Sequence, residues 1–224
     1  MSATDWNRIR KHLEPFDLVR GDVLVEPGER YSYVYFPEAG IVALVASFES
    51  GSTAETATIG REGVVSVGAV LGGKSALNRT IVQMPGPGYR IELGAFERLM
   101  RELPAFRQKL LTYVRVFLGQ AMQSVACNGL HSLEERCARL LLMYHDRSDE
   151  DSLLLTQEVL AEMLGVSRPA VNRVARTLQE RGFISYGRGV IEIDDRRGLE
   201  RVSCECYAIV RHHFDQLLPG SFGR

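Results

Sequence analysis

The sequence predicts an α+β chain in three parts: an N-terminal antiparallel β-roll, one long helix, and a C-terminal winged helix-turn-helix. Three observations predict it. From Phe16 to about Ile91, short runs rich in Val, Ile, Tyr and Phe are broken by turn signals, the pattern of closely spaced antiparallel strands. From Pro104 to Asn128, apolar residues recur at steps of three or four. From Thr156 to Ile184, TQEVLAEMLGVSRPAVNRVARTLQERGFI reads as two short helices meeting at a glycine. The expected divisions are 1–103 for the roll, 104–130 for the long helix and 131–224 for the winged unit.

Asp5 to Leu13 reads as a short amphipathic helix, with Trp6, Ile9 and Leu13 on one side. In the roll, Arg20-Gly21-Asp22, Glu26-Pro27-Gly28-Glu29, Glu49-Ser50-Gly51-Ser52 and Pro85-Gly86-Pro87-Gly88 are the expected turns. In the long helix, the stripe Phe106, Leu110, Tyr113, Phe117, Ala121, Ser124 and Asn128 fits a coiled-coil seam and an ordinary buried face alike. Asn128-Gly129 ends that helix, and Ser132-Leu133-Glu134-Glu135 opens the next with a capping box, which marks a hinge. Asp146 to Ser152 is expected to be an acidic surface loop.

Thr156 caps the first of the two short helices and Gly165 ends it, since glycine takes the positive φ of a tight exit. Ser167 caps the second, and Pro169 falls in its first turn, where a missing N–H is no loss. Val171, Val174, Ala175 and Leu178 form its apolar stripe, and Pro169, Asn172, Arg173, Arg176 and Glu180 lie opposite. Phe183 to Ile193 then reads as a hairpin around Gly187-Arg188-Gly189. Between Ser167 and Gly189, Arg168, Arg173, Arg176, Arg181 and Arg188 face Glu180 alone, on a chain of formal charge −1. Arginine and asparagine supply donors both to phosphates and to base edges, so double-stranded DNA is the expected partner. Arg173 is the first choice for a base contact, with Arg168 and Asn172 beside it; Arg176 and Arg188 suit phosphates. Gly198 to Leu218 reads as one last helix.

Composition narrows the remaining classes. The 224 residues are 45% hydrophobic, which is ordinary for a globular protein. No apolar run reaches the roughly 18 residues of a membrane span, and MSATDWNRIRKHL has no signal-peptide core. The expectation is a cytoplasmic chain with no membrane contact. Four cysteines, Cys127, Cys137, Cys204 and Cys206, are too few for a disulfide scaffold and are expected as reduced structural thiols. Cys204-Glu205-Cys206 sits in a run that reads as helical, where residues two apart diverge, so neither a metal nor a cofactor is expected. An enzyme built on a metal-binding roll fails on inventory, because Phe16 to Ile91 contains no histidine and no cysteine.

The order of roll, linking helix and Thr156–Ile184 with its glycine-bounded wing resembles the cyclic-AMP receptor protein/fumarate-nitrate regulator (Crp/Fnr) family of bacterial transcription factors. The resemblance implies a homodimer joined through the long helices, two readers on a two-fold symmetric operator, and an RNA polymerase contact near the acidic loop. It also implies a phosphate-binding cassette in GREGVVSVGAVLGGKSALNRTIVQ, with Gly68 at the family's glycine and Arg79-Thr80 at its phosphate pair. Ala69 stands where the family has a glutamate for the ribose, and Ala121 and Met122 stand where cyclic-AMP receptors present hydroxyls to adenine. The expectation is a degenerate pocket not controlled by cyclic AMP, serving an unidentified small-molecule effector or none. A cyclic-nucleotide-responsive or redox-responsive sensor, the latter through Cys127 or Cys137, is the alternative. Pro169 replaces a family glutamate that accepts from cytosine, which implies a different operator.

Overall fold

The computed structural model describes residues 1–49 and 53–222. Ser2 and Asp5 form a capping box that starts helix α1 (Ala3–Ile9), and a single 3-10 turn carries the chain from Arg10 to His12. The regular helix is therefore shorter than the apolar spacing predicts. Ile9 is its buried anchor, and Trp6 stays exposed.

The roll is built from β1 (Glu14–Leu18), β2 (Val23–Val25), β3 (Tyr33–Pro37), β4 (Ile41–Ser47) and β5 (Thr53–Ile59), then the one-turn α2 (Val67–Val70), β6 (Arg79–Met84) and β7 (Gly86–Glu92). They pair antiparallel in two sheets, ordered β1-β7-β3 and β2-β6-β4-β5. Gly21 and Gly28 turn the chain with φ of +88° and +84°. The Glu49–Ser52 turn extends outside the described residues. Pro85-Gly86-Pro87-Gly88 is not a turn: Gly86, Pro87 and Gly88 pair with Leu18, Asp17 and Phe16. The glycines serve close approach, since a Cβ on Gly86 would meet the Ala39 carbonyl carbon at 2.5 Å and one on Gly88 the Phe36 oxygen at 2.7 Å.

Helix α3 (Leu93–Glu102) follows, capped by the Glu92 carboxylate, which accepts from the Gly94 and Ala95 amides. Helix α4 (Pro104–Leu130) then lies along the roll. Phe106, Leu110 and Tyr113 are buried in its core with Val34, Val42, Val82, Ile91 and Phe96. They are therefore not available as the seam of a coiled coil, which corrects that part of the expected dimer stripe. Phe117, Ala121 and Ser124 are half-buried and Asn128 is exposed. The bare apolar face is a different one: Leu118, Met122 and Val125 are 52, 64 and 74% exposed. Because α4 is apolar on more than one side, periodicity alone selected the face that its own roll covers.

The chain turns at His131, and Ser132 and Glu135 cap α5 (Leu133–His145) reciprocally, as the capping box predicts. A second core holds Leu141, Leu142 and Tyr144 of α5 with Leu160, Leu164, Val171, Leu178 and Ile191, and it also takes in Ile41 and Met84 from the roll. The loop after α5 is not a surface run at its start. Asp146 and Arg147 are buried, Asp146 accepting from Arg196 at 2.6 Å, Arg211 at 2.7 Å and the Tyr207 hydroxyl at 3.0 Å. Only residues 149–151 of the acidic run are fully exposed.

The winged unit consists of β8 (Ser152–Leu153), α6 (Gln157–Leu164), α7 (Arg168–Glu180), β9 (Ile184–Gly187) and β10 (Val190–Ile193), the strands ordered β8-β10-β9. The expected last helix is two, α8 (Arg196–Val202) and α9 (Cys206–Leu217), broken at Ser203–Glu205. Cys204 lies in that break rather than in a helix. Val210 and Phe214 of α9 return to the roll core and do not join the core around α7. No helix among the described residues is long and apolar enough to cross a membrane.

Candidate nucleic-acid interface

The reader is positioned from its caps outward. The Thr156 hydroxyl accepts from the Val159 amide at 3.2 Å, and Gly165 ends α6 with φ of 63°. Arg136 of α5 donates to the Leu164 carbonyl at 2.6 Å, which satisfies an orphan acceptor at the same helix end. Ala161 is buried between the helices. Ser167 occupies the cap position of α7, yet its side chain makes no capping bond. Pro169 sits in the first turn, as its ring requires.

Val171 and Leu178 hold α7 to the core, Ala175 is buried beside them, and Ser167, Arg168, Pro169, Asn172, Arg173 and Arg176 are all exposed on the other side. Arg176 pairs with Glu180 at 2.8 Å, a solvated pair worth little to stability. Arg181 instead reaches back to Glu134 at 2.7 Å and lies over the Phe183 ring, so its charge is spent on packing. The wing is a two-residue turn in which Arg188 has φ of 55° and Gly189 φ of 81°. The Tyr186 hydroxyl accepts from the Gln157 amide at 3.1 Å, tying the wing to α6. Exposed arginines thus stand on the outer face of α7 and at the hairpin tip.

The effector-pocket candidates do not converge. Arg79 and Thr80 are successive residues of β6, so their side chains leave opposite faces of the sheet. Thr80 is buried, while Arg79 is half-exposed, 3.3 Å from Glu26. Arg79 opens, with Glu55, Gln83, Glu162 and Met163, on a cavity of about 110 Å³ beneath α6. Ala69 lines a different groove, with Lys74, Arg101, Arg107 and Leu111. A Cβ on Gly68 would meet the Tyr31 hydroxyl at 2.6 Å. Ala121 and Met122 lie far along α4, Met122 on its bare face.

The junction between roll and reader is polar and buried. Arg147 pairs with Glu62 at 2.8 Å, both side chains essentially without solvent contact, and also donates to the Met143 carbonyl and to Gln120, which in turn donates to the Thr58 carbonyl. Glu55 accepts from the Tyr144 hydroxyl at 2.9 Å and from Thr58. Burial outweighs those two hydrogen bonds and raises the Glu55 carboxyl to about 7. Burial likewise pushes the Cys137 thiol up to about 12, the state of an inert core cysteine.

One constellation escaped the sequence reading. Cys127 and His131 at the end of α4 meet Cys204 and Cys206 at the α8–α9 joint. The signal was present in the four-residue step between Cys127 and His131, one helical turn. Reading the Cys204 segment as helix concealed it.

Residues 16–102 match the cyclic nucleotide-binding domain family, and residues 135–202 match the Crp-like helix-turn-helix domain family. A stretch of 105 residues is 33% identical to the HTH-type transcriptional regulator Cmr of Mycobacterium tuberculosis, covering 47% of this chain and 42% of that one. The matched stretch thus spans less than half of that curated relative's length. The fold is similar to FixK2 from Bradyrhizobium japonicum, with a TM-score of 0.72, 18% identity, and coverage of 86% of this chain and 98% of that one. It is also similar to a transcriptional regulator of the Crp/Fnr family from Eubacterium rectale, with a TM-score of 0.69, 16% identity, and coverage of 90% and 94%.

Proposed function

The chain belongs to the Crp/Fnr family of DNA-binding transcriptional regulators, and from that premise we propose that it acts as a homodimer on a two-fold symmetric operator without control by cyclic AMP. The observation that carries the DNA side is the unbroken exposed row Arg168, Asn172, Arg173, Arg176, continued at the wing by Arg188. Arg173 and Asn172, at the middle of the face, read base edges; Ser167, Arg176 and Arg188 position the protein on phosphates. The dimer forms through Leu118, Met122 and Val125, with Ala121 beside them, and successive half-sites on one face of the duplex would need the two readers about 34 Å apart.

Two features favour independence from cyclic AMP. No carboxylate stands at Ala69, and the cavity that Arg79 enters is about 110 Å³, below the roughly 300–1,000 Å³ of sites that enclose small ligands. We assign the chain to the cytoplasm, with RNA polymerase meeting the exposed residues 149–151.

Selection of binding sites from random DNA at stated salt tests the reading. The expected product is a palindrome, unchanged by added cyclic AMP, and Arg173→Ala is expected to lose about 1–3 kcal/mol and to relax one position in each half-site. Retention that is equal for all sequences, or a site that appears only with cyclic AMP, would overturn it.

A further inference from the structure

The last turn of α4 and the joint between α8 and α9 bring four metal-ligating side chains to one point. The ligand atoms of Cys127, His131, Cys204 and Cys206 all lie within 4.8 Å of one another. The three cysteines are buried and form a small cluster of their own, and His131 is half-buried at its edge. Cys127 and His131 share a helix face one turn apart. Cys204 and Cys206 reach the same point because the chain is bent at Ser203–Glu205 and not wound as a helix.

Two of the separations are close to those an ion would set. Cys127 Sγ is 3.4 Å from Cys204 Sγ, and Cys206 Sγ is 3.6 Å from His131 Nδ1. Tetrahedral zinc, with bonds of about 2.3 Å to sulfur and about 2.0 Å to nitrogen, holds its sulfurs roughly 3.8 Å apart and a sulfur and nitrogen roughly 3.6 Å apart. A disulfide needs about 2.05 Å. The surroundings orient the ligands as well. His131 Nε2 lies 3.1 Å from a Glu205 carboxylate oxygen, which keeps the proton on Nε2 and turns the Nδ1 lone pair toward the sulfurs. Gln123 donates to Cys206 Sγ at 3.1 Å, a bond that stabilises a thiolate.

We propose that Cys127, His131, Cys204 and Cys206 form a closed Cys3His site for one zinc ion per chain. Three soft thiolates and one imidazole, four protein ligands with no place left for water, are the donor set of a zinc site that holds structure rather than performing chemistry. On binding, the three thiols release their protons to solvent and no electron is transferred. The ion clasps the end of α4 to the α8–α9 joint at the turn itself, one residue before the Ser132 cap of α5. Its binding does not depend on what the reader recognises.

The test uses the full chain, reduced and metal-stripped, titrated without oxygen by Co²⁺ and then by Zn²⁺. Visible d–d and thiolate-to-cobalt bands are expected to saturate at one Co²⁺ per chain and to vanish as Zn²⁺ displaces it. Cys127→Ser and Cys204→Ser are expected to lose this uptake, and Cys137→Ser, whose thiol lies in a separate core, to keep it. Glu205→Gln leaves all four ligands in place and is expected to weaken Zn²⁺ binding roughly 10–100-fold, so the proposal remains testable if a cysteine variant does not fold. The absence of stoichiometric uptake by the reduced chain would overturn it. So would uptake that survives Cys127→Ser/Cys204→Ser, or retention of iron in preference to zinc.

Discussion

Glu55 joins the roll to α5 through the Tyr144 hydroxyl, and its protonation decides how firmly. Burial raises its pKa from 4.5 to about 7, so the native state holds the proton more tightly than the unfolded chain does. The contribution is complete below about pH 4.5 and is lost as pH rises through about 7. Thermal melts across that window should show stability falling with pH, and Glu55→Gln, which stays neutral, should flatten the slope. Arg188 carries an opposite pair of expectations. A side chain with φ of 55° is strained by roughly 1–2 kcal/mol where glycine is not. Arg188→Gly should therefore raise the melting temperature while weakening DNA binding and lowering the salt slope by about one. Single-residue features of this kind divide by range. Gly165 and Gly189 were legible because a positive φ is a local demand, whereas the burial of Asp146 was hidden because Arg196 and Arg211 approach it from far along the chain.

Among the elements, α4 carries two different apolar faces. Phe106, Leu110 and Tyr113 serve the roll, and Leu118, Met122 and Val125 face outward. Phe106→Ala should cost about 3–5 kcal/mol in unfolding experiments, the usual price of emptying a buried aromatic site. It should leave the association constant of the folded chain unchanged. Leu118→Glu with Val125→Glu should do the reverse: the melt of the monomer is preserved, while sedimentation shows one chain where the parent shows two. The break between α8 and α9 was not legible, because Ser203, Cys204 and Glu205 include neither proline nor glycine and the surrounding apolar spacing continues through them. By contrast, the wing, the capping box of α5 and the Gly165 turn each carry their own local signal, and the structure has all three.

At the scale of the whole molecule, roll and reader share cores. Ile41 and Met84 of the roll pack with α5 and α6, and Phe214 of α9 packs with the roll, so the fold is cross-braced and not strung as beads. The buried Arg147–Glu62 pair lies at this crossing. Arg147→Met strands a buried carboxylate and should cost about 3–5 kcal/mol, whereas Arg147→Met with Glu62→Leu should recover most of that loss; denaturant melts of the two variants would show the difference. Strand content, the long helix and the winged reader were readable from turn residues and periodicity. The cross-bracing was not, since it depends on which of several apolar surfaces meet. The bare face of α4 has one more consequence, in gene dosage. If the reader works only as a pair joined there, then below the concentration at which chains associate, the number of competent readers grows as the square of the amount of chain made. A twofold change in synthesis would reach the operator as a fourfold change, so three exposed side chains would give the regulator a threshold without any ligand.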